Sequence, residues 1–103
     1  MNTIELASYI QENSQVKDLF LERTCNYLND KNRARSGKSK WSEARIEKQA
    51  DQMFDRLVTN VYEKVAPQIK VRFRNNADSW VHFMQEHEII AQLEELVSEL
   101  EFE

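Results

Sequence analysis

One glycine and one proline serve 103 residues. A β-sandwich or barrel built from many short strands needs a turn roughly every 8–12 residues, and turns draw heavily on those two residues. The chain is therefore expected to be mainly α: a compact domain over residues 1–103, with three to four helices, an exposed basic connector and, at most, one short strand. With 41% hydrophobic residues, folding at this length buries roughly two-thirds of the unfolded surface around one modest core. No apolar run approaches the ~20 residues of a bilayer crossing, and residues 1–20 lack the basic-then-apolar layout of a signal peptide. The expectation is a cytoplasmic protein with no membrane contact. Cys25 is the lone cysteine, which suits a packed thiol in a reducing compartment.

Helix signals recur along the chain. Thr3 reads as the N-cap of a short helix through Ile4, Leu6, Ala7 and Ile10, and Ser14 as the cap of a second carrying Val16, Leu19, Phe20, Cys25, Tyr27 and Leu28. Residues 29–40 contain one alanine and no larger apolar side chain; with little to bury, they predict a flexible basic connector. Ser42 then caps a long helix in which Ile46, Ala50, Met53, Phe54, Leu57, Val61 and Val65 recur at three- and four-residue steps up to Pro67. Asp78 reads as the cap of a last, acidic helix over 79–101. The expected core is Leu19, Phe20, Leu28, Ile46, Phe54, Leu57, Val61, Val65, Trp80, Phe83 and Met84.

Residues 69–74 change rhythm: Ile69, Val71 and Phe73 alternate with Lys70, Arg72 and Arg74. Alternation is the mark of a half-buried strand, yet a single strand leaves unpaired backbone groups unless another chain supplies a mate. Strand and helix stand equal here.

The formal net charge of -4 conceals a division. All 14 Lys and Arg lie in residues 1–74 with 10 of the acids, while residues 75–103 hold 8 acids and no base. In the last helix Trp80, Phe83, Met84, His87 and Ala91 share one face, and Ile89, Leu93, Leu96 and Leu100 share another, well displaced from it. One wall of one core cannot serve both, so the helix either bends near Ile89 and Ile90 or docks its second half elsewhere. The stripe Ile89, Leu93, Leu96 and Leu100 is flanked by Glu94, Glu95 and Glu99 without a cation, which disfavours a parallel zipper and suits a protein partner, or a second copy as a homodimer, with a basic apolar surface. Glu47, Asp51 and Asp55 form an acidic ridge on the long helix that extends the same proposal. Small regulators, adaptors and inhibitors, including those of phage and mobile elements, share this composition.

The alternative is nucleic-acid binding. Lys31, Arg33, Arg35, Lys38 and Lys40 precede Trp41; cations neutralise phosphates and an aromatic face stacks on an unpaired base. Lys70, Arg72 and Arg74 would extend the footprint if residues 69–74 were extended. A sequence pI near 5.2 weighs against it. Chemistry finds little support: His82 and Glu86 sit one helical turn apart, but a catalytic zinc takes three protein ligands and no third follows. Cys25 with either histidine carries no local nucleophile signature. No metal or cofactor is expected, and no catalytic residue is assigned.

Overall fold

The computed structural model describes residues 1–102. Five α-helices account for most of them: α1 (Thr3–Asn13), α2 (Val16–Arg33), α3 (Glu43–Val65), α4 (Ala77–Glu86) and α5 (Ile89–Ser98). Among the described residues there is no strand, and no helix is long and apolar enough to cross a membrane.

Side-chain caps start α1, α3 and α4, whereas α2 is capped at Gln15, not at the expected Ser14, and α5 at Glu88, both without a side-chain bond. The cap of α1 is Asn2, not Thr3: its side chain accepts from the Glu5 amide at 2.8 Å while the Glu5 carboxylate accepts from the Asn2 amide at 3.1 Å, a reciprocal capping box. Ser14 joins α1 to α2 by donating its hydroxyl to the Ile10 carbonyl at 2.6 Å and accepting from the Val16 amide at 3.2 Å. Ser42 caps α3 as its sequence suggests, through the Arg45 amide. For α4 the cap is Asn76, which accepts from the Ser79 amide at 3.1 Å, while Asp78 occupies the first turn.

Three expectations are corrected. The first concerns residues 29–40, of which Asn29–Arg33 are the last turn of α2. Lys31 and Arg33 favour the negative helix end there, and Arg33 pairs with Asp30 at 2.9 Å. The remaining loop is short and tied: the Asn32 side chain donates to the Trp41 carbonyl at 3.0 Å and accepts from the Trp41 amide at 2.8 Å, closing it like one rung of a sheet. Gly37, at φ +29 with nothing within 4 Å of a would-be Cβ, turns it through a 3-10 segment over Gly37–Ser39.

The second is the strand reading of residues 69–74. Ile69 alone is extended and buried. Val71–Phe73 form a 3-10 turn whose donors are met locally, Phe73 N–H to Lys70 O at 2.8 Å and Arg74 N–H to Val71 O at 3.3 Å. With no second strand, closing the backbone on itself is the way to satisfy it. The third is the single helix over 79–101. It is broken after His87, where Glu88 takes the left-handed region at φ 52 and redirects the chain into α5. The two displaced apolar faces are thus served by two helices.

The molecule measures 54 × 22 × 22 Å, with a radius of gyration of 16.0 Å against about 13 Å for a compact chain of 100 residues. The length comes from the antiparallel α2–α3 hairpin. At one end, the base, α1, α4 and α5 surround it and hide Leu6, Ile10, Val16, Val58, Trp80 and Val97 almost completely. At the other, the tip, Leu28, Ile46 and Ala50 form a separate small core. Of the expected core, Leu19, Leu57, Val61 and Phe83 are half-buried at the edge and the rest are buried.

A polar knot closes the base. The Trp80 ring stacks on Tyr62 (centroids 5.0 Å apart) and its indole N–H donates to the Arg74 carbonyl at 2.7 Å, which also accepts from the Met1 amino group at 2.7 Å. The Arg74 Nε–H is shared between the Ala66 carbonyl at 2.7 Å and the Ile69 carbonyl at 3.0 Å. One residue thereby meets carbonyls left over at the end of α3 and anchors the tryptophan.

Candidate functional site

The leucine stripe of the last helix is only partly available. Leu93 is buried, Ile89 and Leu100 are half-buried, and Leu96 remains 54% exposed. The inward face of α5 turns on Leu93 and Val97 instead, because α5 begins afresh after Glu88 and packs chiefly on α2, with α4 beside it. Val97 lies outside the stripe Ile89, Leu93, Leu96 and Leu100, one position on from Leu96.

An open groove of about 510 Å³ runs between α3 and α5. Its apolar wall is Leu57, Val61 and Val65 on α3 with Ile89, Leu93 and Leu96 on α5, and its polar members are Asn60, Lys64, Gln68 and Gln92. Leu57 and Val61 were assigned to the interior; their half-exposure is what forms the groove floor.

The acidic groups do not converge. Glu94 and Glu95 border a depression formed with Gln15, Val16 and Leu19 on α2. Asp55 lines a different one, with Thr3, Ile4, Ala7 and Ser8 of α1 and with Lys17. Asp55 and Leu57 are about 200° apart on α3, so α1 and the α5 groove occupy different flanks of that helix. Glu47 and Asp51 lie nearer the tip and face Cys25; burial first, then these two carboxylates, push its thiol above the usual cysteine range. The ridge Glu47, Asp51 and Asp55 and the acids Glu94, Glu95 and Glu99 therefore do not form one surface. Within 4.0 Å the described residues make two ion pairs, Arg33 with Asp30 and His82 with Glu86 at 3.5 Å. The carboxylates of α5 take part in neither.

The basic residues also separate. Lys31, Arg33, Arg35, Lys38 and Lys40 gather at the tip, whereas Lys70 and Arg72 lie beyond the opposite end of α3, whose 23 residues span about 34 Å. The Arg74 guanidinium is turned inward onto carbonyls. These three do not extend the tip's footprint. Trp41 is half-buried with the Arg35 guanidinium 4.0 Å and the Arg45 guanidinium 4.4 Å from its ring centroid. Its π-face already serves cations and is not open for a base.

His82 is exposed with Glu86 beside it. His87 is exposed too, against its expected place facing the core, and leans on Phe83 at 4.3 Å between centroids. Among the described residues no group of three or more His, Cys, Asp or Glu side chains is arranged to hold a metal ion. Near the tip the Phe102 ring stacks on Tyr27 at 4.5 Å, with the Lys31 ammonium 4.8 Å from the Tyr27 centroid. Neither this contact nor the Asn32 clamp has a local motif that would announce it. Comparison with protein families, curated proteins and solved structures gives no match.

Proposed function

We propose that this chain is a non-enzymatic protein-interaction module, of the kind that serves as a regulator, adaptor or inhibitor, and that it docks a partner in the groove between α3 and α5. Support comes from Leu96, a large aliphatic side chain 54% exposed at the rim of an apolar groove of about 510 Å³. Exposed apolar surface that is contiguous and grooved, rather than scattered, is what partner helices and loops use. Glu99, the C-cap of α5 three residues after Leu96, is exposed and makes no ion pair among the described residues. The partner that suits this face is a protein ridge with apolar side chains, with a Lys or Arg toward Glu99 and none toward Lys64, which lines the groove.

Leu96→Asp is the informative variant, since Leu93 is part of the core and its loss would report on folding. Co-precipitation from the source cell, compared between the wild-type chain, Leu96→Asp and the tip variant Lys38→Glu, should show a bound protein lost only with Leu96→Asp. Retention of every bound protein by a folded Leu96→Asp chain would overturn the proposal. Solution mass measured against concentration separates a second copy from a different partner.

A further inference from the structure

The tip carries a charge pattern that the groove does not explain. Lys31, Lys38, Lys40, Arg45 and Lys48 are exposed, Arg35 is half-exposed, and among the described residues none of the six has a carboxylate within 4.0 Å. The nearby acids in the sequence are Asp30, spent on Arg33, and Glu43 and Glu47 on the first turns of α3. Held by the Asn32 clamp and by the two guanidiniums over Trp41, the loop presents these cations from a fixed frame. Pre-organised charge loses less freedom on meeting a ligand.

We infer that the tip of the α2–α3 hairpin binds the phosphate backbone of nucleic acid, without regard to base sequence and without stacking. The chemistry selects this polyanion over an acidic protein. From Asn29 to Lys40 the sole apolar side chain is Ala34, and a protein interface centres on desolvated aromatic or aliphatic anchors that the tip does not offer. Phosphate binding requires no such anchor, because release of condensed counterions supplies the affinity. The covered indole of Trp41 removes the feature that would favour single strands, making Trp41 a positioning residue for Arg35 and Arg45 rather than a base platform. The acidity of the whole chain does not cancel the patch. Glu94 and Glu95 sit beside Val16 and Leu19, about 20 Å along α2 from Lys31, and that exceeds the Debye length of about 10 Å at 0.1 M salt. Glu101, next to the Phe102 ring stacked on Tyr27, comes nearer to Lys31 but forms no ion pair with it, and it leaves the charges of Lys38, Lys40, Arg45 and Lys48 on the loop and α3 in excess.

Fluorescence anisotropy with a labelled 20-mer, as duplex DNA and as single strand, tests this across 50 to 200 mM salt. If about four phosphates are neutralised, duplex affinity should fall roughly 100-fold over that range. The double variant Lys38→Glu, Lys40→Glu should weaken binding at least tenfold at 50 mM and flatten the salt slope by about 2. Its melting temperature should match the wild type, and Leu96→Asp should bind as the wild type does, which keeps this result separate from the groove proposal. Absence of binding at 50 mM, or indifference to the tip reversal, overturns the inference. So does a tenfold or greater preference for the single strand, which would require Trp41 to be free, and so does equal affinity for poly-glutamate, which would make the ligand an acidic protein.

Discussion

The base and the tip of the α2–α3 hairpin use the same two helices in different surroundings. At the base, Phe20 and Phe54 meet at 5.8 Å and are enclosed by α1, α4 and α5, and buried side chains come from all five helices. At the tip, Leu28, Ile46 and Ala50 are covered by little beyond Leu21, Cys25, Tyr27, Trp41 and Met53. The base holds the fold through buried apolar area. The tip is closed by two hydrogen bonds from Asn32 and by cations resting on a ring. A two-helix extension thus keeps its form with a small core when a larger one fixes its root, and its surface is left to charge.

The sharpest way to break the contrast is Trp80→Ala. It removes a fully buried indole and one of the two donors to the Arg74 carbonyl, and should cost about 3–5 kcal/mol. Thermal melting followed by far-ultraviolet circular dichroism should show base and tip lost together; a tip that outlived the base would refute their dependence.

Asn32→Ala should do the reverse. Losing both bonds to Trp41 costs about 1–2 kcal/mol at the tip, so hydrogen exchange should accelerate at the Trp41 amide while the amides of Leu6 and Val58 keep their protection.

Thr24 marks the boundary between the two cores. It lies on the inner line of α2 between Phe20 and Leu28, fully buried, and its hydroxyl has no hydrogen-bond partner. Thr24→Val should join the cores and raise stability by about 1 kcal/mol in urea titration, whereas a loss would show that the hydroxyl is satisfied in solution.

The smallest effect concerns Cys25. Burial and the facing Glu47 and Asp51 favour its neutral thiol, so alkylation should lag a free cysteine at neutral pH and accelerate only in alkali. Because the folded pKa is raised, the associated stability is fully present below the unfolded value and lost as pH rises from there through the folded one. Glu47→Gln should move the alkylation profile toward lower pH.

The helices were legible where the burying face was regular. Ile46, Phe54 and Val65 repeat over six turns of α3 and were recognisable from spacing alone, as were the Ser42 cap and the offset faces of the last segment. The first helix is legible from Ile4, Leu6, Ala7 and Ile10, but Leu6 and Ile10 are buried outside the expected core and the cap is Asn2 rather than Thr3, since only the reciprocal bonds with Glu5 tell the two neighbouring residues apart. The rhythm of Ile69, Val71 and Phe73 leaves strand and helix equal because alternation records side-chain pattern and not whether a neighbouring backbone exists. Within the candidate sites, charge could be counted by position, but its grouping could not. Arg74 belongs to the interior and Lys70 to the far end, and these assignments depend on how α3 directs the chain it leaves behind. Asn32 and Trp41 are nine residues apart, joined by geometry that no periodicity records.

The chain's single glycine sits where nothing crowds it, so its missing side chain serves handedness rather than room. A mirror-image residue at Gly37 would rest comfortably at φ +29, and a chain synthesised with D-alanine there should close the same loop with fewer unfolded alternatives to give up. L-alanine at that position would meet no obstacle except the twist of its own backbone.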